Sequence, residues 1–162
     1  VLRMKRSSVP GALPGAGLEA AMARIASLNG ARVTAGIQQA QGSVGSLAVI
    51  AASNHYGTHE IPARPWLSRA VSVNRARWST LAGRVVKARG TGGGTGAVEL
   101  RQLAVVMVGD CKESLLDGPW PPNSARTIAM KGSDQPLIDT GRLNQSQRAQ
   151  VELPGEQPIV VG

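Results

Sequence analysis

The chain is predicted to fold as an α+β domain, a small antiparallel or mixed β-sheet packed against two long amphipathic helices. Three observations carry this. The stretches after Pro65 and after Gly96 repeat apolar residues at helical spacing, whereas Arg32 to Gln38 and Ser146 to Leu153 alternate with a period of two. Hydrophobic residues make up 42% of the sequence and aromatics only 2%, so the core must be built from Ala, Val, Leu and Ile. A length of 162 residues suits one domain, here residues 18–153, with a flexible N-terminal arm over 1–17 and a C-terminal tail over 154–162.

The arm carries Arg3, Lys5 and Arg6 among prolines, glycines and serines. Leu18, Ala21, Met22, Ile25 and Leu28 then recur at helical spacing, and Gly30 is placed to stop that helix. Val33, Ala35 and Ile37 line one side of the first strand. A turn is expected over Gln39 to Ser46, where Gly42 and Gly45 sit among polar residues, followed by a short helix from Leu47 to Ala52 that ends before Gly57. His55 and His59 lie four apart, but a zincin helix needs Glu directly after its first His, and Tyr56 stands there. A loop is the better reading, and no metal or cofactor is expected.

Pro65 suits the first turn of a helix, where its missing N–H would be unpaired anyway. On that helix Leu67, Ala70, Val71, Asn74, Trp78, Leu81 and Val85 fall on one arc, with Arg69, Arg77, Arg84 and Lys87 assigned to the opposite side. Residues 90–96 are glycine-rich but lack the Lys-Ser/Thr of a phosphate loop and the spacing of a dinucleotide fingerprint, so they read as a flexible connection. A second long helix follows from Ala97 to about Leu116, turning Leu100, Leu103, Ala104, Met107, Val108 and Cys111 inward. Cys111 is thus a small core residue, and a single cysteine fits a reducing compartment. Gly118 to Pro122 ends the helix, and Asn123 or Ser124 can cap a short one through Met130. Ser146 to Leu153 is expected to form a strand paired with Arg32 to Gln38 or another, and Ile159 to Val161 to form a last edge strand.

Asp139-Thr140-Gly141, after Leu137 and Ile138, has two readings. It matches the motif of aspartic proteases, whose chemistry needs two carboxylates sharing a proton. One motif per chain would demand a homodimer, and the sequence from Asp139 to Gly162 has room for one or two strands rather than a barrel. The structural alternative is that Asp139 caps a short helix over Thr140 to Ser146, with Leu143 turned inward. The formal charge of +8 and a pI near 11.1 favour polyanionic partners, either nucleic acid or an acidic protein surface. No apolar run approaches the ~20 residues of a membrane span.

Taken in order, Asn54-His55-Tyr56-Gly57, Ile61-Pro62-Ala63-Arg64-Pro65-Trp66-Leu67, Pro121-Pro122-Asn123-Ser124, Thr127-Ile128, Lys131-Gly132-Ser133 and Pro136-Leu137-Ile138-Asp139-Thr140-Gly141-Arg142-Leu143 form a series. It resembles the tail-completion, or head–tail joining, family of tailed bacteriophages, also known as virion morphogenesis or minor tail proteins. The resemblance spans roughly residues 47–153; Asn144 to Gln147 depart from the usual Ser-Ile pair. It implies a non-enzymatic subunit of a ring, expected to be hexameric, in the virion at the neck or head-proximal tail, assembled in the host cytoplasm. Implied partners are copies of the chain, head-side connector or adaptor proteins, tail tube or terminator proteins, and genomic DNA passing non-specifically. Ile61, Pro62, Arg64, Pro65, Trp66, Leu67, Leu137, Asp139, Thr140, Gly141 and Leu143 would be structural or interface residues. Arg69, Arg77, Arg84 and Lys87 would face the DNA channel or a neighbouring subunit. A basic nucleic-acid-binding module is the alternative reading, and the homodimeric protease stands third.

Overall fold

Residues 15–37 and 45–162 are described by a computed structural model. Its centre is a 21-residue helix over Ala97–Asp117, α4 once the elements are numbered along the chain. Leu100, Leu103, Ala104, Val108, Cys111 and Leu115 recur every three or four residues and are all buried. Against this helix lies an antiparallel sheet of β1 (Arg32–Ile37), β2 (Gln147–Glu152) and β3 (Ile159–Val161), in that order. The register sets Val33 opposite Val151 and Ala35 opposite Ala149, and Val151 opposite Ile159. Side chains alternate across a strand, so this register gathers the small aliphatic residues on the face that meets α4. The three strands and the edge position of the last follow the sequence expectation, and the pairing of β2 with β1 is one of the partners it left open. The last strand lies inside the expected tail, so residues 159–161 belong to the domain.

The longest helix, α3 (Trp66–Thr91), runs beside α4 and buries Trp66, Ala70 and Val85. It continues through Gly90 and Thr91, two residues into the glycine-rich segment, and ends at Gly92, whose left-handed conformation lets its N–H reach the carbonyls of Ala88 and Arg89. Val71 is exposed, although it lies within the arc expected to be inward. Helix α1 (Gly15–Ala26) takes in Gly15 to Gly17 of the expected arm; the rest of the arm, like residues 38–44 of the expected turn, lies outside the described residues. Among the described residues the one substantial contact of helix α1 is with α3. Of its apolar stripe only Ala21 is buried; Leu18, Met22 and Ile25 are exposed. The pattern located the helix correctly but not its burial, because one narrow contact is all that α3 offers it.

Helix α2 (Gly45–Tyr56) begins before Leu47 and carries His55 and Tyr56 in its last turn. Two short helices, α5 (Ala125–Lys131) and α6 (Arg142–Gln145), complete the fold. Ser124 caps α5, its hydroxyl accepting from the Thr127 N–H at 3.2 Å. Asp139 does not cap α6. That helix starts later than expected, behind Gly141 in the left-handed conformation, and no side chain caps it. Leu143 is buried as expected.

Candidate site: a cleft assembled from the motif segments

The buried residues fall into two clusters. One joins α3, α4 and the sheet; the other joins Ala51 of α2, Trp66, Leu115 and Leu143, with Leu137 and Ile138 packed against it. A cleft of about 610 Å³ opens over the second cluster. Its walls come from α2 (Leu47, Ile50, Asn54), the loop before α3 (Ile61, Pro62, Arg64), α5 with its preceding loop (Asn123, Thr127, Met130) and residues 137–143. Each of these walls contains one of the sequence motifs.

Arg64 holds them together. Its side chain is buried, with only 4% of its surface exposed. Nε donates to the Pro121 carbonyl at 3.0 Å, and Nη2 donates to the Pro122 carbonyl at 3.2 Å and to Asn123 Oδ1 at 3.3 Å. Burial lowers its pKa from the usual arginine value, and the planar fork meets three acceptors that one ammonium could not reach together. Asn123 extends the chain of contacts, Nδ2 donating to the carbonyls of Asp134 and Gln135 at 3.1 and 3.2 Å. The backbone of Arg64 donates to the Asn54 carbonyl at 2.8 Å. Three motif segments are thereby tied through one side chain and one peptide group, and Asn123 joins to them the residues just before Pro136.

Gly57 makes the approach of α2 to this loop possible. It has φ +78°, and a Cβ there would lie 2.9 Å from both the Ala63 nitrogen and the Ile61 oxygen. Only glycine fits both the conformation and the space. Pro65 then sets the start of α3, and Trp66 drops into the core fully buried, its carbonyl accepting from Ser114 Oγ at 2.8 Å. Leu137 has φ +62°, rare for a residue with a Cβ, and its side chain packs on the second cluster.

The expected site residues therefore divide. Ile61, Pro62, Arg64, Leu137, Asp139, Thr140, Gly141 and Leu143 share the cleft. Pro65 starts the helix, and Trp66 and Leu67 turn towards α2 and β1 around a smaller hollow that also includes His55. His55 is buried; its Nε2 lies 3.2 Å from Ser68 Oγ and its ring stands edge-on to Trp66. Desolvation holds its pKa below 6.5. His59 is exposed on the following loop, and no cluster of three metal-ligating side chains occurs among the described residues.

Arg69, Arg77, Arg84 and Lys87, the four residues of α3 assigned to a basic face, are not at the cleft, and one of them has an ion-pair partner within the chain. Arg77 is drawn across to α4, where Asp110 accepts from Arg77 Nη1 at 2.8 Å and from Trp78 Nε1 at 2.6 Å. Arg77 lies on the flank beside α4, with its side chain still more than half exposed. Buried Asp110 was missed in the sequence; the available signal was a carboxylate within the buried arc of one helix and an Arg-Trp pair on its neighbour. Arg69, Arg84 and Lys87 remain on the outer side. Cys111 is buried next to Asp110, and burial together with that carboxylate pushes its thiol up to about 11, consistent with a core role. Among the described residues no helix is long and apolar enough to cross a membrane.

Comparisons with protein-family models, with curated proteins and with solved structures found no match.

Proposed function

We propose that this chain is a non-enzymatic virion protein of a tailed bacteriophage. It forms a ring, expected to hold six copies, at the neck or head-proximal tail, where it completes the tail and joins it to the DNA-filled head. One observation carries the reading: the segments that resemble the tail-completion family, scattered from residue 54 to residue 143, meet around a single cleft. Convergence of this kind is what a shared structural role for those segments requires. The residues that define the motifs are spent on joining backbone segments, as Arg64 does with the carbonyls of Pro121 and Pro122. Exposed apolar side chains at the rim, Ile50 and Met130, suit a surface that a neighbouring virion protein covers.

In this reading Asp139 activates no water. It lies exposed on the cleft wall, and the sequence contains no second Asp-Thr-Gly to supply a partner carboxylate. Electron microscopy of lysates from a phage or prophage lacking this gene tests the assignment. Filled heads beside separate, finished tails are the expected result. Tails of uncontrolled length would move the protein to a terminator role, and normal infectious particles would remove it from the neck.

A further inference from the structure

We infer that the cleft of one copy takes the exposed face of α1 from a second copy, a head-to-tail contact between unlike surfaces of the same chain. The inference deepens the virion reading, since it rests on the cleft being an assembly surface and names what fills it. Helix α1 has the pattern of a helix that lies in a groove. Leu18, Met22 and Ile25 recur at i, i+4 and i+7 and are 57%, 61% and 38% exposed. Arg24 fastens this helix to α3, donating from Nη2 to the Gly90 carbonyl at 2.7 Å and from Nε to the Arg89 carbonyl at 3.3 Å, and leaves that apolar face uncovered. The cleft is the matching concavity. Its 610 Å³ are lined by Leu137 and Leu143 and edged by Ile50 and Met130, which are 49% and 80% exposed.

A copy cannot fill its own cleft with α1 in this position. Arg24 is held at Arg89 and Gly90, near the C-terminal end of α3, whereas Ile61, Pro62 and Arg64 of the cleft precede Trp66 at the other end, ~36 Å away along the helix. Two surfaces so far apart do not overlap, so each copy can use both at once. Contacts of this kind close into a ring or run on as a filament. Charge supports the pairing. Glu19 borders the apolar face of α1 beside Met22, is exposed, and forms no ion pair among the described residues. Of the cations in the cleft, Arg64 is turned to the proline carbonyls and Lys131 Nζ donates to the Gln135 carbonyl. Arg142 is exposed and has no ion pair among the described residues. Glu60 and Asp139 lie on the same walls but not within ion-pair distance of it, which leaves the Arg142 guanidinium for a carboxylate from outside.

The test is disulfide trapping with the purified full chain. Met22→Cys and Met130→Cys are made in separate chains, mixed and oxidised; the native Cys111 is buried and adds little background. The expected product is a disulfide-linked pair with one chain of each kind. It should be absent when Val105→Cys, 57% exposed on α4, replaces Met130→Cys. Both substitutions in one chain should give a ladder of oligomers. Sedimentation equilibrium is a second measurement, independent of cysteine geometry. The parent chain should self-associate, Glu19→Arg or Arg142→Glu should raise the dissociation constant about fivefold, and the two reversals together should restore it. Leu18→Glu with Met22→Glu should be monomeric with an unchanged Tm, because both side chains are exposed. A monomeric parent chain, trapping no stronger than with Val105→Cys, or charge reversals without effect or without mutual rescue would overturn the inference. An internal loop in place of the ladder would overturn it too, by placing α1 in its own cleft. The neck assignment fails by a separate result, normal particles in the lysate of the gene-deleted phage, so the two failures are distinct.

Discussion

At the sheet end of the molecule, Leu100, Ala104 and Val108 of α4 meet Ala149 and Val151 of β2, and the contact is aliphatic throughout. At the motif end, Trp66 and Leu115 supply the apolar volume, but Arg64, Asn123 and Ser114 bind backbone carbonyls across long sequence separations. The first kind of core tolerates repacking if volume and pattern are kept. The second cannot, because a buried donor or acceptor left without its partner costs the full desolvation of that group. The difference separates a region that merely has to be apolar from one in which particular residues are required, and Trp66, Arg64 and Asn123 among the required residues lie in the motifs.

The largest expected effect comes from Trp66→Ala, which should cost about 4 kcal/mol in urea denaturation, against about 2 kcal/mol for Val151→Ala at the sheet end. Equal losses would erase the distinction between the two regions. Next is Arg64→Ala, expected to cost about 3 kcal/mol by leaving two proline carbonyls and Asn123 Oδ1 without a donor. Arg64→Lys should recover only about 1 kcal/mol of that, since a single ammonium cannot replace the fork. Full rescue by lysine would mean that charge rather than geometry holds the loops.

A smaller effect is expected with pH. His55 is buried with its folded pKa below 6.5, so the unfolded chain takes up the proton first. Stability contributed by neutral His55 is present above pH 6.5 and is lost as pH falls below it. Melting temperature should therefore drop as pH is lowered from 6.5, and His55→Gln should flatten that part of the curve; an unchanged curve would refute the assignment. Smallest of all is Asp139→Ala, which should change stability by no more than about 0.5 kcal/mol because Asp139 caps nothing. A loss near the ~1 kcal/mol of a broken cap would restore the capping role expected from sequence.

The sheet end was legible because its determinants are periodic. Alternation in residues 32–38 and 146–153, and the recurrence of apolar residues along α3 and α4, predict the elements and most of their buried faces. Periodicity says which residues share a face, however, and not what that face meets. Leu18, Met22 and Ile25 mark α1 as amphipathic, yet they are exposed, because among the described residues α3 is the one element that packs substantially against α1. Arg77, at the flank of its helix, could be assigned only once Asp110 was seen opposite. The motif end was legible as a set of unusual segments but not as a mechanism of cohesion. Arg64 is satisfied by carbonyls of Pro121 and Pro122, and a carbonyl leaves no trace in the residue type. Asp139 failed as a cap because Gly141 adopts the left-handed conformation and starts α6 itself.

If the motif end is the surface that works in the particle, charge placed on its rim should disable assembly without unfolding the chain. The most direct measurement is plaque titre, with electron microscopy of the lysate, after complementing a gene-deleted phage with Ile50→Glu and Met130→Glu together. These side chains are 49% and 80% exposed, so their replacement leaves the core intact. Val98→Glu, 61% exposed in the first turn of α4 at the sheet end, is the control. The account predicts unjoined heads and tails with the double variant and normal titre with the control. Normal titre with the double variant, or equal loss with both, would contradict it.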